Sequence, residues 1–193
     1  QRGLLKTSMR SGNTSTVTWV SKYGSVTFNQ YGKEFPTGGM NEKGLVIELM
    51  WLDGTRYPDD DDRPAVGVLQ WIQYQLDNAS TTAEVIASDS RLRINEKATP
   101  LHYLVADASG NVATIEFLNG KMVVHKDDKL PFPVLTNDTY ASSVQTANFA
   151  LRAKPLAGKP EVSLENNSLD RFVKACNMVK QLIETHVNTP ITD

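Results

Sequence analysis

Leu101-His102-Tyr103-Leu104-Val105-Ala106-Asp107, Ala108-Ser109-Gly110-Asn111, Val112-Ala113-Thr114-Ile115-Glu116-Phe117, Asn119-Gly120 and Lys121-Met122-Val123-Val124-His125 together form the stretch that decides the fold class. Three runs rich in β-branched and aromatic residues are parted by turn chemistry. An Asn-Gly pair between two such runs is the strongest short hairpin signal, because both central residues of the tight turn need positive φ. Meander strands are therefore predicted over 101–107, 112–117 and 121–125. Upstream, the apolar run 45–52 reads as a buried strand, with shorter strands over 14–20 and 25–29. Pro36 to Gly44 is dense in turn residues, and the N-terminal dozen residues read as a loop. Asp59 to Asp62 read as a solvated loop. Val66, Leu69, Ile72 and Leu76 recur at helical steps, which predicts a helix over about 64–77 with Pro64 in its first turn. Thr81-Thr82-Ala83-Glu84 is a capping box opening a short helix. Downstream, 131–137 is extended and 139–150 helical. The stretch 154–167 is irregular, and Ser168 can cap a last helix over 169–185. Strands, a helix pair, more strands and then helices suit an α+β fold rather than alternating βαβ units.

The 193 residues fit a single domain. Twenty Lys+Arg against 22 Asp+Glu leave no basic surface for phosphates, so nucleic acid is not an expected partner. No apolar run reaches the roughly 18–20 residues of a membrane span. One cysteine, Cys176, excludes an internal disulfide and a multi-thiolate metal site. His102, His125 and His186 have no metal-binding spacing, and no metal or cofactor is expected. The chain begins Gln1-Arg2-Gly3, without an initiator Met or a leader, and reads as a processed or trimmed segment.

The generic catalytic motifs are absent: no GxSxG elbow, P-loop, GxGxxG or EF-hand loop is present. Cys176 lies on the apolar stripe Leu169, Phe172, Val173, Cys176, Val179, Ile183 and reads as core. His102, alternating with Leu101 and Tyr103, reads as structural rather than as a general base. His125 reads as exposed, and Glu116 has no second carboxylate beside it in sequence. Asn137, before a helix, reads as its cap.

A resemblance carries the reading further. Gly39-Met40-Asn41-Glu42-Lys43-Gly44-Leu45, running into Val46 to Leu52, resembles the "NEKGL" strand of the choloylglycine hydrolases, a family of linear amide C–N hydrolases. That family includes penicillin V acylases and conjugated bile salt hydrolases. Trp19-Val20-Ser21-Lys22-Tyr23-Gly24-Ser25-Val26 is similar to its "WTSKYGSV" stretch. Leu101-His102-Tyr103 with Asp107, Val134-Leu135-Thr136-Asn137 and Asp170-Arg171-Phe172-Val173 resemble three further motifs in the same order. The resemblance implies an N-terminal-nucleophile hydrolase, with antiparallel sheets in a four-layer αββα sandwich. There a Cys at the mature N-terminus attacks the amide carbonyl with its own α-amino group as base.

Carried onto this sequence, Asn137 matches the side chain that donates to the oxyanion, and Arg171 matches the later Arg that supports the site. Trp51 takes the position whose backbone N–H completes the oxyanion hole. An aromatic there occurs in members resembling penicillin V acylases and implies a pocket for aromatic or acyl groups. Asn137 and Trp51 are expected at neighbouring strand ends, with Arg171 at the edge. The implied substrate is a small acyl amide, the implied assembly a homo-oligomer such as a tetramer, and the implied compartment periplasmic or secreted, with cytoplasmic as the alternative. The nucleophilic Cys and its "GRxxDW"-like strand have no counterpart in the sequence. The expectation is a fragment of a larger hydrolase that is inactive as it stands, the alternative being a naturally shortened, catalytically silent binding or self-associating module.

Overall fold

A computed structural model describes residues 3–8, 16–95, 98–152 and 167–186. The chain divides into two compact units, residues 1–130 and 131–193. In the first, β1 (Leu5–Thr7) pairs with β2 (Thr18–Val20). Then come β3 (Ser25–Asn29), β4 (Pro36–Asn41), β5 (Val46–Trp51), β6 (Ala65–Val66), α1 (Val68–Asn78), α2 (Thr82–Ala87), β7 (Arg93–Ile94), β8 (Leu101–Ala106), β9 (Val112–Leu118) and β10 (Lys121–Lys126). Six strands form one antiparallel sheet in the order β10-β9-β8-β5-β4-β3. The β8–β9–β10 meander appears where the sequence predicts it, and Asn119 and Gly120 turn the chain at φ of 52° and 76°.

Period-2 alternation sorts this sheet into two faces. Ile47, Tyr103, Val105, Ile115 and Phe117 are buried together with Trp71, Ile72 and Leu76 of α1 and Val85 of α2. The Trp71 and Tyr103 rings sit 4.5 Å apart, and the Tyr103 hydroxyl donates to the Val68 carbonyl at 3.2 Å. The same strands carry His102, Thr114 and Glu116, all fully buried, on the opposite face. Farther across that face, Val26, Phe28, Met40 and Met50 are exposed.

Three expectations need correction. Pro36 to Asn41 is a strand, not a turn, because Gly38 and Gly39 serve close approach. A Cβ on Gly38 would collide with the Glu48 carboxylate of β5, and one on Gly39 would meet the Val26 carbonyl of β3. The N-terminal loop contains β1. Its Lys6 is buried because its ammonium reaches Asp77 of α1 at 2.9 Å, where Trp19 Nε1 and Gln73 Nε2 also donate. Pro64 lies before α1 rather than inside it, since Ala65 and Val66 pair in parallel with Arg93 and Ile94 and delay the helix to Val68. Of the predicted strand 14–20, Thr14 and Ser15 lie outside the described residues, and pairing begins at Thr18.

The polar run Asp59 to Asp62 is the exposed loop expected, and it carries ion pairs. Asp61 receives the Arg63 guanidinium at 2.6 Å, and Asp60 contacts the buried Arg93 at 3.0 Å.

The second unit contains α3 (Tyr140–Arg152) and α4 (Ser168–His186), packed on each other. Phe172 meets Tyr140 edge-on at 5.9 Å and Phe132 at 6.3 Å, and Val134, Leu135, Ala147, Val173 and Cys176 are buried. Among the described residues of 131–139 there is no strand, so Asn137 stands in a loop rather than after a strand end. The predicted irregular stretch 154–166 lies outside the described residues.

Candidate active site

Two helix starts frame Asn137, and neither uses it as a cap. Thr139 caps α3, its hydroxyl accepting from the Ser142 N–H at 3.4 Å. Asn167 caps α4, its Oδ1 accepting from the Asp170 N–H at 3.0 Å. The reading of Asn137 as a helix cap is thereby removed, and so is that of Ser168. Asn137 is instead gripped by the first turn of α4. Its main-chain N–H donates to Ser168 Oγ at 2.8 Å, and its Oδ1 accepts from Arg171 Nη2 at 2.8 Å. Ser168 Oγ also lies 3.2 Å from Thr136 Oγ1. Ser168 and Arg171 are three apart on one helix face, so both reach the same loop. The sequence did not reveal this grip, because Asn167 and Ser168 are both good caps.

A guanidinium donates and never accepts, so the Asn137 atom facing Arg171 is the oxygen. The Nδ2 end of the amide, a neutral donor, therefore faces away from Arg171. Developing negative charge on a carbonyl oxygen needs such a donor, held before the reaction begins.

Trp51 ends β5 in the first unit, with nearly half of its side chain exposed and its Nε1 donating to Asp53 at 2.6 Å. Successive N–H groups of a strand point to opposite sides. The Leu52 N–H goes to the Pro100 carbonyl on the β8 side. The Trp51 N–H accordingly points toward the β4 side, past the last β4–β5 pair at Gly38 and Glu48.

The other titratable candidates are placed as follows. Cys176 is buried, and burial pushes its thiol up to about 11, so it is core as expected. His102 Nδ1 lies 3.2 Å from Glu116 Oε1 in full burial, which fits a structural histidine. His125 is not simply exposed: its ring, one-fifth exposed, approaches Glu116 Oε2 at 3.5 Å. Glu116 thus meets two imidazoles rather than a second carboxylate. Among the described residues no cluster of three or more His, Cys, Asp or Glu could hold a metal, and no helix is long and apolar enough to cross a membrane.

Residues 5–180 match the family model of the linear amide C–N hydrolases, choloylglycine hydrolase family. The chain belongs to that family. It is 31% identical over 191 residues to a penicillin V acylase of Pectobacterium atrosepticum, covering 90% of this chain and 50% of that relative. The chain thus spans about half the length of this curated relative. Among solved structures it resembles the penicillin V acylase of Agrobacterium tumefaciens, with a TM-score of 0.73 and 28% identity over all of this chain and 64% of that one. A variant of the conjugated bile acid hydrolase of Clostridium perfringens shares the fold at a TM-score of 0.75 and 18% identity, over 95% of this chain and 63% of that one. The mixed α/β architecture with antiparallel sheets is that of these choloylglycine hydrolase structures, which confirms the expected fold class.

Proposed function

We propose that this chain is the part of a linear amide C–N hydrolase that carries an oxyanion donor, Asn137, and that the nucleophilic Cys comes from sequence outside the 193 residues. The observation that carries the reading is the Arg171–Asn137 hydrogen bond, which holds the amide with its oxygen on the guanidinium. Arg171 keeps Asn137 in one orientation, and Asn137 Nδ2 donates to the carbonyl oxygen as it gains charge. The preferred substrate is an acyl amide with an aromatic or extended acyl group, of the penicillin V or N-acyl homoserine lactone kind rather than a conjugated bile acid. The exposed Trp51 ring supports that choice, as does the likeness to two penicillin V acylases.

The test uses the intact protein that contains this chain, with amine release from penicillin V as readout. Asn137→Ala is expected to lower kcat by roughly 10²–10³, with a far smaller change in KM, because the donor matters most in the charged transition state. Wild-type kcat in that variant overturns the reading. An intact protein that binds the amide without turning it over would instead favour the silent binding module.

A further inference from the structure

Asn137 is fixed at two points by one turn of α4, and only one of those points is Arg171. Because Asn167 caps the helix, the Ser168 hydroxyl is not spent on the helix's own first-turn N–H groups. It accepts the Asn137 main-chain N–H at 2.8 Å and lies within hydrogen-bond reach of Thr136 Oγ1 at 3.2 Å. The backbone at Asn137 belongs to a loop, with no strand ladder to hold it. Arg171 on its own settles which way the amide faces. It does not settle where the Cα stands, because its long side chain can follow a loop that shifts. Ser168, with a single χ angle on a rigid helical turn, can hold the backbone in place.

We infer that Ser168 is a positioning residue of the amidase reaction: its hydroxyl sets the backbone of Asn137, and with it the point at which Nδ2 meets the oxyanion. The inference rests on the oxyanion reading of Asn137. Displacing a reacting group by about 1 Å costs on the order of 10²-fold in rate, and losing one anchor costs less.

The experiment is a double-mutant cycle in the intact enzyme, assayed on penicillin V. Ser168→Ala is expected to lower kcat about 10-fold with KM within about twofold of wild type, a fraction of the 1 Å penalty. Ser168→Thr keeps the hydroxyl on the helix and is expected to restore most of kcat. In an Asn137→Ala background Ser168→Ala is expected to cause no further loss, because the group it positions is gone. A helix merely weakened by the substitution would lower activity equally in both backgrounds, and that result overturns the proposal. So does wild-type kcat in Ser168→Ala while Asn137→Ala is impaired. Wild-type kcat in Asn137→Ala, by contrast, removes the oxyanion reading itself, so the two failures are told apart. Should Ser168→Ala not fold, Ser168→Thr against Ser168→Val decides: equal loss of kcat in both overturns the role of the hydroxyl.

Discussion

A thiol held at about 11 is thiolate in roughly one molecule in 10⁴ at pH 7, and Cys176 is in addition buried against solvent. It has no α-amine of its own to act as base. The purified 193-residue chain is therefore expected to release no amine from penicillin V or an acyl homoserine lactone at an enzymatic rate. Turnover abolished by Cys176→Ser would contradict this. A thiol reagent should label Cys176 slowly in buffer and promptly in denaturant. Asn41 shows how far a motif's letters can be explained physically. Its Oδ1 accepts from the Lys43 and Leu45 N–H groups, and its Nδ2 donates to the Leu76 and Ala79 carbonyls. Gly44 turns the chain at φ 78°, where a Cβ would press on Ala108. The Asn and Gly of "NEKGL" thus build a turn and tie it to the end of α1. Nothing in the spacing alone says so, because Asn41's four partners include two carbonyls more than 30 residues away.

At the scale of elements, the junction of β1, β2 and α1 is held by charge. The Lys6–Asp77 pair is almost fully buried, and its carboxylate also receives Trp19 and Gln73. Removing one partner of a buried pair leaves the other charge uncompensated, at a cost of about 3–5 kcal/mol. Asp77→Ala is expected to show a loss of that size in urea titrations. Lys6→Met in an Asp77→Leu background should recover much of it by closing the gap with apolar volume. Near-equal losses in the single and double variants would show that packing, not the stranded charge, is responsible. This junction also marks where the sequence stops being legible. The meander, the strand 45–52 and the amphipathic α1 and α4 are readable because each follows a local period. Strand β1 is not, since Lys6 reads as solvated until Asp77 folds against it. Strand β4 is hidden because glycines chosen for close approach look like glycines chosen for turns. In the candidate site, Asn137 and Arg171 could be named from motif order. The hydroxyl between them could not, because Ser168 and Asn167 are both good caps and only the fold shows which one caps.

For the first unit as a whole, the carboxylates set the response to acid. Burial by itself would raise Asp107, but the hydrogen bonds from Thr82, Asn111 and Ser109 outweigh it and lower its pKa. Asp61 is lowered by Arg63, and Glu84 by the Ser80 N–H. A carboxylate lowered in the folded state contributes stability above its unfolded value and loses it as pH falls through the folded one. Glu48 and Asp89, raised by burial, act in the opposite sense and are relieved on mild acidification. The thermal midpoint is expected to hold or rise slightly from pH 7 to about 5 and to drop below about 4. Asp107→Asn should flatten the acid limb, and an unchanged limb would reject Asp107 as its source. The ion pair at β1 has a further consequence, in the order of events during synthesis. Lys6 leaves the ribosome 71 residues ahead of its carboxylate. At roughly 5–20 residues per second that interval is about 4–14 s. Throughout it the first hairpin has an ammonium to bury and nothing to bury it against. Strand β1 waits, wet and unpaired, for α1 to emerge.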